Sequence, residues 1–565
     1  MYLKLINEAE RLLREAVASA GYAADDMSLT ESAHADLSSS LPFRLAKELR
    51  KNPKEIAQVI VSHIGKSDYI SKVEVVGAYI NFFASDKYVV ESLTAIRNPE
   101  KRFYKLDNNG IKVILEHTSA NPTGPLHVGR GRNPIIGDTL SRIMRNAGYD
   151  VEVQYYVDDM GKQEATIVWG YENLDLSQLK PEVDKPDHQI VEIYRAATDR
   201  RKADPEVEKA VSDILNRYEH ADPEVSLKLK KFVGLCLEGQ RMTLDRMNVF
   251  YDRFVWESGF VFDGEVDKIV KQLSETPYAR RNADGSLELD LSSFGMDKAF
   301  VLTRSDGTSL YTTRDIAYHV WKLSNCDMAV NVLGEDQKLA MQRLEAALKI
   351  IGQTKFPVIV FYSFISLPEG RMSTRKGVVV NMDDLLDEAI VRARAEVDKR
   401  REDLTEEKKN KIAEAVGIGA VRFDIIRVAP EKSITFKWEQ ALDFEKQGAP
   451  FIQYSHARAC SILEKAPAPA QADLSLLKED QEVALVKKIA MLPYVVKNAA
   501  TELKPHYVAT YARELADSFN QFYRFVPVLI AEPGIREARL ALVDAARIAL
   551  AASLEMLGVE AVEEM

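Results

Sequence analysis

Apolar residues first recur at helical spacing at the N-terminus, where Leu3, Ile6, Ala9, Leu12, Leu13 and Val17 predict an amphipathic helix. Phe43 to Lys54 predicts a basic helix that ends before Pro53, and Val73 to Phe83 reads as a strand. Lys112-Val113-Ile114-Leu115-Glu116-His117 is a short apolar run, as expected for a central strand covered on both faces. Ser119 to Pro125 holds Asn121-Pro122-Thr123-Gly124-Pro125, which continues neither strand nor helix. Ile135, Ile136, Leu140, Ile143, Met144 and Ala147 then mark a helix stopped by Gly148. Val151, Val153, Tyr155 and Val157 alternate as a second strand, which completes a β-α-β unit. Residues 171 to about 245 are charged and helix-rich without strand runs, so they read as an insertion. Residues 371–448 and 449–565 are helical, the latter broken by Ala466-Pro467-Ala468-Pro469-Ala470, and no internal repeat is evident.

Length and composition narrow the class. A chain of 565 residues is too long for one core and predicts three or four domains. No apolar run is long enough to cross a bilayer. The N-terminal helix carries Glu8, Glu10 and Glu15, which argues against a targeting segment. Cys236, Cys326 and Cys460 are too scattered for a disulfide framework or a zinc knuckle, so the expected compartment is the reducing cytoplasm. A net charge of −11 argues against indiscriminate nucleic-acid binding but leaves room for a specific RNA on a local basic surface.

Candidate chemistry gathers at two places. His127-Val128-Gly129-Arg130 sits at the start of the helix of the β-α-β unit, where free N–H groups and the helix dipole favour phosphate. A lone histidine there is ordinarily a cap. Farther along, Arg371-Met372-Ser373-Thr374-Arg375-Lys376-Gly377 packs three cations into a short loop, and the two together predict jaws around a nucleoside triphosphate. No Ser-His-Asp or Cys-His constellation supplies a nucleophile, and no carboxylate cluster marks a dedicated metal site.

These two segments resemble the HIGH and KMSKS signatures of class I aminoacyl-tRNA synthetases. Glu116-His117-Thr118-Ser119-Ala120-Asn121-Pro122, Tyr155 to Gln163, Tyr311-Thr312-Thr313-Arg314-Asp315, Gln453 to Arg458 and the terminal Met565 resemble the arginyl family over almost the whole chain. The resemblance implies a Rossmann-like α/β catalytic domain at 107–370 with a helical insertion near 171–245. It also implies an N-terminal α+β tRNA-binding domain at 1–106, a KMSKS-like loop with connecting helices at 371–448, and an all-α anticodon-binding domain at 449–565. The implied activity joins L-arginine to tRNA(Arg) using ATP with Mg2+, in a cytoplasmic monomer without a structural metal. Another class I synthetase such as a glutamyl one, or a noncatalytic RNA-binding paralogue of the same fold, is the alternative.

The resemblance also implies roles. His127, Gly129 and Arg130 would meet ATP, Met372 and Ser373 would line its site, and Arg371, Arg375 and Lys376 would hold the departing pyrophosphate. Glu116, Asn121, Tyr311, Asp315 and Gln337 would surround arginine. Asp315 would take the guanidinium through a bidentate pair, and Asn121 and Gln337 would lie near the α-amino end. Tyr79, Asn81, Phe451, Tyr454, Arg458 and Met565 would touch tRNA by stacking and edge contacts. Three departures stand out. Arg130 replaces the final histidine of the first signature, and Arg371 and Thr374 replace both lysines of the second. Some family members compensate with a lysine just upstream, but Gly124 holds that position here. By elimination, Arg375 or Lys376 takes the role.

Overall fold

The computed structural model describes residues 1–32, 34–98, 100–366 and 381–565. The basic-loop residues Arg371, Met372, Ser373, Thr374, Arg375 and Lys376 therefore lie outside the described residues. At the N-terminus the helix Tyr2–Ser19 buries Leu5, Ala9, Leu12, Leu13, Ala16 and Val17. Leu3 and Ile6, expected on that face, lie at its edge and are only half-buried. The N-terminal helix packs against the helix Pro53–Ser62, which lies on an antiparallel sheet of β1 (Leu29–Thr30), β2 (Leu37–Ser39), β3 (Ile70–Val76) and β4 (Tyr79–Ala84), ordered β1-β2-β4-β3. The stretch Val73 to Phe83 is thus a hairpin instead of one strand. Gly77 reverses it with φ +66°, a backbone state that glycine reaches without penalty.

The central element is a five-stranded parallel sheet: β5 (Lys112–Glu116), β6 (Asp150–Val157), β7 (Arg253–Trp256), β11 (Met328–Gly334) and β12 (Val358–Tyr362). Its order is β12-β11-β5-β6-β7. Val113, Ile114 and Leu115 of β5 are buried, as a strand covered on both faces requires. The chain passes from β5 to β6 on one side and later returns to β11 on the other. The carboxyl end of β5 is therefore a topological switch point, where open α/β sheets bind ligands. Between β7 and β11 runs a small antiparallel sheet that the sequence did not betray: β8 (Ala279–Arg281), β9 (Leu287–Leu289) and β10 (Phe300–Thr303).

The insertion consists of the helices Pro186–Ala203, Pro205–Glu219 and Pro223–Arg246, packed on Lys162–Asn173 through Ile167, Val168, Ile190, Ile193 and Phe232. Each begins with proline in its first turn, and Asp204 and Asp222 cap the last two. After the described gap, the helices Met382–Arg400 and Glu406–Ile426 lead to a bundle of Ala449–Lys465, Asp480–Ala490, Leu492–Thr501, His506–Phe525 and Ile535–Met556. A two-stranded sheet of β13 (Ile365–Ser366) and β14 (Ile434–Thr435) joins this region to the catalytic domain.

Buried arginines fasten the parts. Arg132, at the start of the helix Arg132–Asn146, donates to the carbonyls of Ser363 (2.7 Å), Pro430 (2.9 Å) and Ala429 (2.9 Å). Arg422 reaches Asp138 on the same helix at 2.6 Å and the Leu557 carbonyl at 3.0 Å. These donors match carbonyls and a carboxylate that burial would otherwise leave unpaired.

Candidate active site

Beyond Glu116 the chain bends through Thr118 (φ +74°) and Ser119 (φ +45°), left-handed conformations that a β-branched residue rarely adopts. Three hydrogen bonds hold the bend. Thr118 N donates to Asn133 Oδ1 (2.9 Å), Ser119 Oγ to Glu116 Oε1 (3.2 Å), and Ala120 N to the Tyr155 hydroxyl (3.1 Å). The strain lets Glu116 and the link after it face the same space above the sheet.

At the phosphate end, Val128–Arg130 forms a 3-10 turn just before the helix Arg132–Asn146. His127 Nδ1 accepts from Gly129 N at 2.8 Å, so the ring proton resides on Nε2, turned out of the turn. Burial, and then neighbouring Arg130, push the imidazole pKa down, so the ring is neutral near pH 7 and donates without charge. A side chain at Gly129 would place Cβ 2.8 Å from His127 Nδ1. The glycine thus gives the ring its place. At Gly124, where a compensating lysine would have to stand, a Cβ would lie 2.9 Å from Val191 Cβ on the helix Pro186–Ala203. The Gly124 carbonyl also accepts from Gln240 Nε2 at 2.8 Å. The insertion has occupied that space.

A cavity of about 340 Å³ opens at the switch point, and Glu116, Asn121, Tyr311, Asp315 and Gln337 all line it together with Arg130. All five expected arginine neighbours are therefore brought together. Its walls also carry Asp158 from the end of β6, Glu257 from the end of β7 and Asp336 from the turn after β11. Five carboxylates face one space, and among the described lining residues Arg130 is the one cation. Glu257 is held well above the usual carboxylate range by burial, although Arg314 Nη1 stands 3.3 Å away. Tyr156 lines the cavity and stacks on Tyr318 at 4.3 Å, and its buried hydroxyl has no hydrogen-bond partner among the described residues. Asn121 donates to Gln163 Oε1 (3.2 Å), and Gln337 Nε2 donates to Asp336 Oδ2 (3.2 Å).

Sequence reasoning missed Asp158, Glu257, Tyr156 and Asp336. Two signals were available. Tyr156 and Asp158 end a strand at the binding edge of a parallel sheet, and Asp336 adjoins Gln337 at another such end. Glu257 follows a strand of four residues, too short to read.

The RNA-facing expectations separate. Tyr454, Arg458 and Met565 line one cleft of about 890 Å³ with Arg401, Lys408, Tyr523 and Arg547. The Arg458 guanidinium lies 4.7 Å from the Tyr454 ring and 4.6 Å from the Tyr523 ring, a cation–π arrangement. Phe451, on the same helical stripe, is buried in the bundle core, so its expected RNA contact is corrected to a packing role. Tyr79 is exposed against Phe43 at 4.9 Å. Asn81 shares its strand face but is 4 % exposed, beside Ser38 and Glu74 across the ladder, so it does not offer the free edge expected of it. Among the described residues, no group of three or more His, Cys, Asp or Glu side chains is placed to hold a metal ion. None of the described helices is long and apolar enough to cross a membrane.

Three family models match the chain: the catalytic domain of class I tRNA synthetases (R) over residues 93–438, the DALR anticodon binding domain over 452–565, and the arginyl tRNA synthetase N terminal domain over 7–84. The parallel sheet, its switch-point cavity and the helical C-terminal module define a class I aminoacyl-tRNA synthetase. The chain is 73% identical over 566 residues to an arginine–tRNA ligase of Methanocella arvoryzae, and 49% identical over 575 residues to one of Methanosarcina acetivorans. Both alignments cover 100% of each chain. The solved arginyl-tRNA synthetase of Thermus thermophilus superposes with a TM-score of 0.83 at 30% identity, covering 99% of this chain and 100% of that one. The chain belongs to the arginyl-tRNA synthetase family.

Proposed function

We propose that this enzyme activates L-arginine with ATP and transfers it to the 3'-terminal adenosine of tRNA(Arg). The carrying observation is the acidic cavity: Glu116, Asp158, Glu257, Asp315 and Asp336 surround a space suited to a cationic amino acid. A glutamate substrate would meet Glu116, Asp158, Asp315 and Asp336, which disfavours the glutamyl reading. Lysine has no planar fork, so it would leave carboxylate lone pairs unmatched, and unmatched buried polar groups discriminate strongly.

In the first step an arginine carboxylate oxygen attacks the α-phosphorus of ATP. That O–P bond forms as the bond to the bridging oxygen breaks and pyrophosphate leaves with its electron pair. The protein's task is positioning and charge neutralisation. His127 donates through Nε2 to a phosphate oxygen, the backbone at Gly129 lies against the phosphates, and Arg130 adds positive charge. Met372 and Ser373 line the nucleotide site, while Arg371, Arg375 and Lys376 take the pyrophosphate. Asp315 grips the guanidinium with Tyr311, and Asn121 and Gln337 hold the α-amino end beside Glu116. In the second step a terminal ribose hydroxyl attacks the arginyl carbonyl, loses its proton and expels AMP.

Magnesium enters with ATP as part of the substrate complex. Tyr454, Arg458 and Met565 meet the anticodon loop, and Tyr79 meets tRNA from the first module. The modules divide at 1–106, 107–370, 371–448 and 449–565, and the enzyme works as a cytoplasmic monomer. The test offers each of the twenty amino acids with ATP and total tRNA. Esterification of arginine alone is expected. Charging of glutamate would favour a glutamyl enzyme of the same class, and charging of none would favour a noncatalytic paralogue.

A further inference from the structure

Beneath the cavity one buried lysine begins a chain of hydrogen bonds. Lys322 is fully buried, and its Nζ donates to Glu116 Oε2 and, at 2.9 Å, to Asn331 Oδ1. An ammonium only donates, so it fixes the Asn331 amide with its oxygen toward the lysine. The amide nitrogen then faces His319 and donates to Nε2 at 2.8 Å. With Nε2 accepting, the neutral imidazole carries its proton on Nδ1. That proton is donated to the Asp315 carbonyl oxygen at 2.8 Å, one helical turn away, and Asp315 Oδ1 stands 3.0 Å from the same nitrogen. His319 is 1 % exposed, so water does not replace these contacts.

We propose that Lys322 sets the hydrogen-bond polarity of the arginine cavity, directly at Glu116 and through Asn331 and His319 at Asp315. The three are positioning residues. His319 holds the Asp315 backbone through its carbonyl and stands 3.0 Å from Oδ1, which fixes where the carboxylate is presented to a guanidinium. Lys322 keeps Glu116 an acceptor although it is buried. Two carboxylates from different elements, the end of β5 and the helix Tyr311–Ser324, are thereby oriented by one cation before substrate arrives. The inference rests on the reading of Asp315 as the guanidinium partner.

The test is a kinetic cycle with His319→Leu and His319→Asn, each made in the native chain and in Asp315→Asn. Asparagine puts an N–H where Nδ1 stands; leucine does not. His319→Leu is expected to raise KM for arginine about 10- to 100-fold, the scale of one hydrogen bond to a charged group, with KM for ATP unchanged. His319→Asn should recover to within about threefold of native, and in the Asp315→Asn background His319→Leu should add less than about twofold. Equal losses in both backgrounds, or no recovery by asparagine, would reduce the chain to core packing and overturn the proposal. An Asp315→Asn variant with native KM would remove the guanidinium reading itself, and the proposal with it. Should His319→Leu not fold, 15N spectra of the native enzyme decide. A protonated Nδ1 with a bare Nε2 on His319 supports the chain, and the opposite tautomer overturns it.

Discussion

Replacing Asp315 by asparagine keeps the side chain's shape and removes its charge. One of its two oxygens becomes an NH2 group, which opposes the N–H donors of a guanidinium. Breaking a fully buried ion pair costs roughly 3–5 kcal/mol. The Asp315 side chain is 27% exposed, and Glu116 lines the same cavity, so solvent and that carboxylate recover part of this. A loss of about 2–3 kcal/mol follows, close to one charge-assisted hydrogen bond plus an unmatched donor. It corresponds to about a 30- to 160-fold fall in kcat/KM for arginine. Steady-state aminoacylation with arginine titrated at saturating ATP and tRNA measures it, and KM for ATP should stay within about twofold of native. Near-native use of arginine, or equal losses for arginine and ATP, would refute the assignment of Asp315 to the guanidinium.

Three further outcomes are expected. Gly129→Ala would put Cβ against His127 Nδ1, so ATP use should fall while equilibrium binding of arginine is kept; weakened arginine binding would contradict that division of the site. Glu164 is pushed up to about 8 by burial and then by Asp158, so from the ordinary carboxyl range to about 8 the folded chain holds a proton that the unfolded chain has lost, and stability falls as pH rises through that window. Melting temperatures of Glu164→Gln and the native enzyme, compared at pH 5 and pH 9, should therefore show the variant gaining at the higher pH; a pH-independent difference would sink the linkage. Lys376→Ala should slow adenylate formation at unchanged arginine affinity, and Thr374→Ala should be mild, as pyrophosphate exchange in the presence of tRNA will report; the reverse ranking would overturn the substitution of Lys376 for the absent lysines.

The catalytic β-α-β unit was legible because its periodicities are strong. Val113 to Leu115 form an unbroken apolar strand, and Gly148 ends the helix region with φ +88°, where other residues are strained. The hairpin of β3 and β4 was not, since only Gly77 and Ala78 separate two apolar strands that run together on paper. Strands of three or four residues, such as β8 to β10, carry too few alternations to register. For the site, the pattern of residues reached the phosphate end, and the resemblance supplied the arginine neighbours. Lys322 escaped because a lysine near a helix C-terminus ordinarily reads as a solvated charge. Its burial depends on Glu116 and Asn331, which reach it from the strands β5 and β11. Phe451 shows the converse: a stripe shared with Tyr454 and Arg458 runs from core to surface, and spacing alone does not say where it emerges.

The central claim is that a cavity walled by carboxylates selects a cationic planar fork. Equilibrium binding of arginine and of citrulline, its uncharged urea counterpart of nearly the same shape, tests this directly by calorimetry on the enzyme with ATP and tRNA present as nonreactive analogues. The account predicts that arginine binds at least about 100-fold more tightly, because citrulline brings no charge to Asp315 and sets a carbonyl oxygen against acceptors. Binding of the two within a fewfold of each other would contradict it.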